Sequence, residues 1–434
     1  MRLTWNAQSL NDRTNRPVQS PSMRNQPQHH VLTTAIAVIS LSIATFPLAG
    51  AASLITQLAT STNLGLSGMS TEPWGNGLST ISPTKGVIST AIGLASQYDS
   101  NFFLDEHHPR DEFTTMLSPK IHYSSDPEGG APITINADYE ANARFYAENS
   151  DLDGVNHRGG LMAKIEGTRS AITAEAQYRS TAATDSLTGT FVTTGLTSVR
   201  LLGTYQVAPK TSFYLGLSND SSTYDSAGFV SYQTMSGQTG FFWSADERFS
   251  MGPSLSYSSM QSDNTGNHDT GTVSIQTLYK LAESVQILAS IGMNQAINEA
   301  EFSNRHAGLT GYLAAYYEIN PLWTWESSLQ HVTTPSATQS DYLVNDLSVS
   351  TRIMRKFTAS TASLGVLFEM QSYEALMDFP NALVDDSRSE IFIGYQKPIF
   401  NGRAEIKSNA RYGLNHGNTE WEQFQLTAEI SVNF

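Results

Sequence analysis

The sequence predicts one all-β fold, a single transmembrane antiparallel β-barrel of about eighteen strands, with sixteen the next choice. Three observations carry that expectation. Alternation of apolar and polar residues with period two recurs from Val87 to Phe434. The alternating segments are longer than the five or six residues usual in globular sheets. Short and long connections take turns between them, as in outer-membrane barrels. Composition agrees: charged residues make up 15% of the 434 and cysteine is absent. A bundle of transmembrane helices would need repeated apolar runs of about 20 residues. The 10% aromatic content supplies enough to bury that disorder is excluded. With no cysteine there is no disulfide framework, thiolate metal site or cysteine nucleophile.

Residues 1–52 read as leader and signal peptide. One long apolar run, Val31 to Ala49, follows Arg2, Arg13, Arg16 and Arg24 and exits through Pro47-Leu48-Ala49-Gly50-Ala51-Ala52. A basic leader, an apolar stretch and a small-residue exit describe a secretory signal, with cleavage expected near Ala49 to Ala52. A single transmembrane anchor is the competing reading, for which the Ser/Thr content is high. Met23-Arg24 restarts a leader of ordinary length, so Met23 is the expected start. Removing residues 1–52 leaves 21 basic and 39 acidic residues, a charge of −18. Such a chain carries no basic stripe for nucleic acid. Residues 53–86 are rich in Gly, Ser, Thr and Pro and read as a periplasmic linker or plug.

From residue 87 to 434 the barrel is expected. Between Ile133 and Tyr146 one face carries Ile133, Ile135, Ala137, Tyr139 and Phe145, and the other carries Asn136, Asp138, Glu140, Asn142 and Arg144. From Arg403 to Asn415, Ala404, Ile406, Ala410 and Tyr412 alternate with Arg403, Glu405, Lys407 and Arg411. Phe424, Leu426, Ala428, Ile430, Val432 and Phe434 share one face of the last segment. A helix would scatter these residues around its axis, whereas a strand sorts them onto two faces. Short turns are expected at residues 126–130, 208–210, 320–321 and at Asn401-Gly402, a type I′ hairpin signal. Long polar loops are expected at 99–111, 149–156, 181–195, 261–269 and 371–387. The 348 residues from 87 onward give roughly 19 per strand with its connection, as a tilted membrane strand requires. A soluble β-sandwich would also alternate, but with shorter strands and outer faces richer in Lys and Glu. Trp243, Trp323, Trp325, Tyr342, Tyr395 and Trp421 near segment ends fit interfacial girdles.

Two features resemble known proteins. A chain ending on Phe434 after an alternating strand, with Phe424, Leu426, Ile430 and Val432 on its apolar face, resembles the C-terminal signal read by bacterial barrel-assembly machinery. The run Gly93 to Phe103 contains Tyr98-Asp99-Ser100-Asn101-Phe102 and is followed by Asp111-Glu112-Phe113 and Leu117-Ser118-Pro119. This pattern resembles the beta-barrel porin 2 family over about Val87 to Phe434. The resemblance implies a porin-like barrel, with some similar barrels linked to surface polysaccharide export, and brings no catalytic residues.

Positions opposite the apolar faces should line the interior. They include Asp138, Glu140, Arg144, Lys164, Glu166, Glu175, Arg179 and Arg200. Later in the chain come Glu318, Glu326, Arg352, Arg403, Glu405, Lys407 and Arg411. The two signs nearly cancel, so the acidic excess is expected in the long loops. Side chains fill a lumen only near eight strands, so a charged interior on a wider barrel implies water. The expected function is therefore a channel for small hydrophilic solutes or ions, weakly cation-preferring, in the bacterial outer membrane. Its expected partners are outer-membrane lipid and lipopolysaccharide, the assembly machinery and, on an alternative reading, a polysaccharide secretion system. A structural or adhesin barrel is the third reading. No phosphate loop, HExxH or GxSxG stretch occurs, so no catalytic residue, metal or cofactor is expected. His107-His108 reads as a solvated loop, because adjacent residues of an extended chain point to opposite sides.

Overall fold

The computed structural model describes residues 88–126, 131–185, 189–226, 229–262, 266–296, 307–335, 342–375, 385–417 and 419–434. The expected signal peptide and linker, residues 1–86, lie outside these. Eighteen strands follow in order. The first six are β1 (Ile88–Asp99), β2 (Glu112–Ser124), β3 (Ile133–Tyr146), β4 (Gly154–Glu166), β5 (Ser170–Thr184) and β6 (Phe191–Ala208). Next come β7 (Thr211–Tyr224), β8 (Tyr232–Ser244), β9 (Phe249–Ser262), β10 (Gly266–Ala282), β11 (Val285–Ala296) and β12 (Ala307–Asn320). The last are β13 (Trp323–Pro335), β14 (Tyr342–Phe357), β15 (Ser360–Ala375), β16 (Asp386–Ile399), β17 (Ala404–His416) and β18 (Trp421–Asn433).

Every strand pairs antiparallel with its chain neighbours, and β1 pairs with β18, so the sheet closes on itself. Closure leaves no strand edge unpaired, the condition for placing a sheet in hydrocarbon. The seam runs from Ala91 opposite Asn433 to Asp99 opposite Gln425. Alternation then sorts side chains outward or inward. Leu94 of β1, Leu117 of β2, Leu215 of β7, Ile291 of β11 and Ile393 of β16 are all exposed on the outside. A water-soluble protein rarely exposes an apolar band of this extent, whereas lipid stabilises it. Outward aromatics gather toward the ends of the strands. The Phe213 ring lies 5.2 Å from that of Phe241 and tilted by 58° to it, Phe249 lies 6.1 Å from Tyr279, and Trp243 and Tyr395 are exposed. Trp421 differs from the girdle expectation: it is buried inside, with the Arg388 guanidinium 5.8 Å from its ring centroid.

One rim carries short turns. Two residues each join β6 to β7, β10 to β11, β12 to β13 and β14 to β15. At Asn401-Gly402 both residues have positive φ, 57° and 84°, and the Arg403 N–H donates to the Phe400 carbonyl, the expected type I′ geometry. The other rim carries the longer connections, of which residues 100–111 are an example. Two expected long loops are mostly strand. β5 and β6 extend to Thr184 and from Phe191, and β9 and β10 leave only residues 263–265 between them. Those strand ends are rich in Thr, Ser and Asn, so the ladder continues where the apolar alternation has stopped. Within residues 100–111 the Asp105 carboxylate accepts the His107 and His108 backbone N–H at 2.9 and 3.0 Å, which holds its pKa below the usual aspartate value.

The motif residues near the seam have structural work. Asp99 accepts hydrogen bonds from Gln423 and Gln425 of β18, and Ser100 exchanges bonds with Phe424 across the same junction. Glu112 is buried and accepts the Ala147 and Glu148 backbone N–H and the Asn149 amide, which pins the start of the β3–β4 connection. Ser118 accepts the Asn142 amide at 2.7 Å beside Pro119, where the ladder loses a donor.

Candidate functional site: the lumen wall

The lumen wall is built from the inward half of each strand. Strand parity places Asp138, Glu140 and Arg144 of β3, Lys164 and Glu166 of β4, and Glu175 and Arg179 of β5 inside. Arg200 of β6, Glu326 of β13 and Arg352 of β14 follow the same rule. Glu405, Lys407 and Arg411 of β17 also point inward, and Glu318 sits inward at the short-turn rim. Arg403 does not. It lies in the turn before β17, exposed, where its backbone bends to φ −73° and ψ −20°.

Most of these charges are paired. Arg352 meets Glu326 at 2.5 Å, Lys164 meets Glu166 at 2.5 Å, and Lys407 meets Glu405 at 3.1 Å. Arg388 and Arg411 both bind the buried carboxylate of Glu390. Arg403, Lys407 and Arg411, expected together on one inward face, therefore stand in three separate environments: a solvated turn, a short ion pair and a buried cluster. Arg144 and Arg158 face the lumen with no acidic partner among the described residues. Lys120 of β2 bridges Glu140 at 3.3 Å and Glu429 of β18 at 3.5 Å, reaching over β1. It can do so because β1 presents only Ala91, Gly93 and Ala95 there; a Cβ on Gly93 would stand 3.0 Å from Glu429 Oε1.

The arc from β8 to β11 is different. Lys280, near the short-turn rim, is its one charged inward side chain among the described residues. Hydroxyls and amides take over: Ser236, Ser254, Ser256, Thr272, Ser274 and Gln276 all point inward. The larger groups lie flat. The Tyr214 ring is buried across Gly240, whose Cβ would come within 2.6 Å of it, and its hydroxyl donates to Gln276 Oε1 at 3.0 Å. Leu202 and Phe242 pack beside it, with Leu278 and Leu288 against them. A wall of short or flattened side chains keeps its part of the lumen wide.

Several inward charges were not legible as such. Arg158 follows His157 and precedes Gly159-Gly160, so no apolar neighbour marks its face. Asp220 sits in the all-polar run Ser218 to Ser222 and hydrogen-bonds Ser198 and Ser218 from inside. Asp99 and Asp386, expected in loops, are the buried last and first residues of β1 and β16. Among the described residues no cluster of three or more histidines or acids is placed to hold a metal ion.

No family model and no curated protein matches the chain. Among solved structures it is similar to OpdK of Pseudomonas aeruginosa with vanillate, at 11% identity and a TM-score of 0.44, covering 80% of this chain and 99% of that one. It is similar to OccK2 (OpdF) of the same organism in complex with glucuronate, at 12% identity and TM-score 0.44, covering 80% and 98%. The siderophore receptor PirA of Pseudomonas aeruginosa also aligns, at 8% identity and TM-score 0.43, covering 80% of each chain.

Proposed function

We propose that this chain is an outer-membrane, porin-like channel for small hydrophilic solutes or ions, weakly cation-preferring, of the beta-barrel porin 2 kind. The observation that carries the reading is the closed eighteen-stranded sheet with apolar residues outside and ionised ones inside. Strands 4.8 Å apart and tilted by about 40° enclose a cylinder about 36 Å across, too wide for side chains to fill. Water must occupy what remains. The short turns then face the periplasm and the long loops the outside. Export follows the signal expected in residues 1–52. Assembly follows the last strand, whose Phe424, Leu426, Ile430, Val432 and Phe434 are all exposed on its outer face. The barrel performs no catalysis.

Charge supports the selectivity. At the loop rim Asp105, Glu106, Asp111, Asp151, Asp153, Asp185 and Asp225 outnumber Arg110. Their field raises the local cation concentration at low salt and is screened beyond about 8–10 Å near physiological ionic strength. Inside, pairing leaves little net field. Reversal potentials in planar bilayers under a salt gradient test this: weak cation preference that fades as salt rises is expected, and strong anion selectivity contradicts it.

The hydroxyl-lined arc of β8 to β11 favours a second reading, a barrel component of surface polysaccharide export. Partial block of the conductance by neutral oligosaccharides, from the periplasmic side, would speak for it. A barrel with no conductance at all would be a structural or adhesin barrel.

A further inference from the structure

Alternation turns nearly all strand charges inward. Among the described residues, Arg355 of β14 and Lys397 of β16 are the strand cations that point outward instead. They stand on either side of β15, each two residues from the short-turn end of its strand. The outward strand acids among the described residues, Asp269 of β10 and Glu422 of β18, lie toward the opposite, loop-side ends. The turns beside the pair, residues 358–359 and 400–403, hold no acid, and Arg403 there adds a third positive charge.

Arg355 is held in place by aromatic rings. Its guanidinium carbon lies 5.0 Å from the ring centroid of Trp323, its partner on β13, and 4.6 Å from that of Phe357, two residues along its own strand. These contacts fix the guanidinium without an ion pair, and its fork of N–H donors suits the paired oxygens of a phosphate. On β15 the facing residues are Ala362, opposite Arg355, and Ser360, opposite Phe357. Both side chains are short, so the floor between the two cations is open. Tyr395, opposite Ala362 on β16, is exposed at its far edge. Two strand spacings across and one residue pair along put the Arg355 and Lys397 Cα atoms about 12 Å apart, so both long side chains can meet over that floor. One row deeper come Ile353, Leu364 and Ile393, of which Leu364 and Ile393 are well exposed.

We propose that the outer face of β14 to β16 binds one anionic glycerophospholipid of the periplasmic leaflet. Its phosphate sits between Arg355 and Lys397, and its acyl chains run along Ile353, Leu364 and Ile393. Depth supports this: on strands tilted by about 40°, two residues from the end is about 5 Å inside the rim, at headgroup level. Charge selects the lipid. A zwitterionic headgroup brings an ammonium that would meet two cations and no carboxylate, whereas phosphatidylglycerol brings only the phosphate and uncharged hydroxyls. The apolar row favours a lipid over a free phosphate, which would leave that row uncovered. The site rests on the outer-membrane reading and does not require the barrel to conduct.

The test mixes the purified barrel, in mild detergent, with equal amounts of phosphatidylglycerol and phosphatidylethanolamine and reads the bound lipid by native mass spectrometry. One phosphatidylglycerol should be retained in about tenfold preference. Arg355→Gln/Lys397→Gln should abolish the preference. Arg169→Gln/Arg248→Gln, which removes two exposed cations from other turns of the same rim, should keep it. Arg355→Lys, which retains the charge and loses the fork, should weaken the preference without abolishing it. Lys397→Gln alone serves where the double variant fails to fold, with a partial loss expected. Equal retention of the two lipids by the wild type, or an equal loss in both double variants, would overturn the site. A wild-type barrel that enters neither detergent micelles nor vesicles would refute the membrane reading instead.

Discussion

At the scale of single residues, inward glycines decide where the large lumen side chains rest. Tyr214 lies flat only because Gly240 has no Cβ; one added there would meet the ring at 2.6 Å and the Pro253 carbonyl oxygen at 2.8 Å. The tyrosine could swing away, but the backbone oxygen cannot. Gly240→Val should therefore destabilise the barrel by about 1–3 kcal/mol. A lower temperature for loss of the compact, heat-modifiable gel band checks it. Gly203→Ala is the control, since its added Cβ would stand 3.9 Å from the Leu215 carbonyl oxygen, an ordinary contact, and should behave as wild type. Inwardness at this scale was legible wherever an apolar outward neighbour marked the opposite face, as at Glu140 between Tyr139 and Ala141. It failed at Arg158 and Asp220, whose neighbours are glycine, histidine, asparagine or serine. It failed in the other direction at Arg403, whose parity is right but whose residue belongs to the turn.

At the scale of elements, the seam between the first and last strands is the least local part of the sheet. Its two partners are separated by the whole length of the barrel sequence, so loop-closure entropy opposes their meeting. The Lys120 ammonium ties β2 to β18 across the small residues of β1 and gives the seam a contact beyond its ladder. Lys120→Met should cost about 1–3 kcal/mol, because two partly buried carboxylates lose their charged donor. Gly93→Val should displace Glu429 from the same bridge, and the double variant should cost less than the two singles together, as members of one network do. Thermal unfolding in detergent checks both, and strict additivity would contradict the shared bridge. The last strand carries a separate expectation. Phe434→Asp should lower the outer-membrane yield of compact barrel more than His108→Asp in the exposed β1–β2 connection, if the exposed terminal aromatic is what the assembly machinery reads. Strand number and the type I′ turn were legible in sequence because each depends on a few neighbouring residues. The extra length of β5, β6, β9 and β10 was not, since their ends leave the apolar layer and lose the alternation that marks a strand.

At the scale of the whole molecule, the two-faced pattern leads to one account: lipid outside, water inside, and a sheet with no free edge. Period two was enough to predict the closed, two-faced sheet. The packing at the loop-side mouth and the hydroxyl-lined arc were beyond it, because they arise from contacts among strands distant in sequence. Phe102 meeting Phe191 and Tyr214 reaching Gln276 are examples. Whether water fills the lumen is read by a single-cysteine scan along β3 in reconstituted vesicles. Cysteine is placed in turn from Ile135 to Ala143 and exposed to a charged, membrane-impermeant thiol reagent. Labelling is expected at Asn136, Asp138, Glu140 and Asn142, and protection at Ile135, Ala137, Tyr139, Ala141 and Ala143. Uniform protection would mean a lumen closed to water, and labelling of the odd positions would mean that the apolar face does not meet lipid.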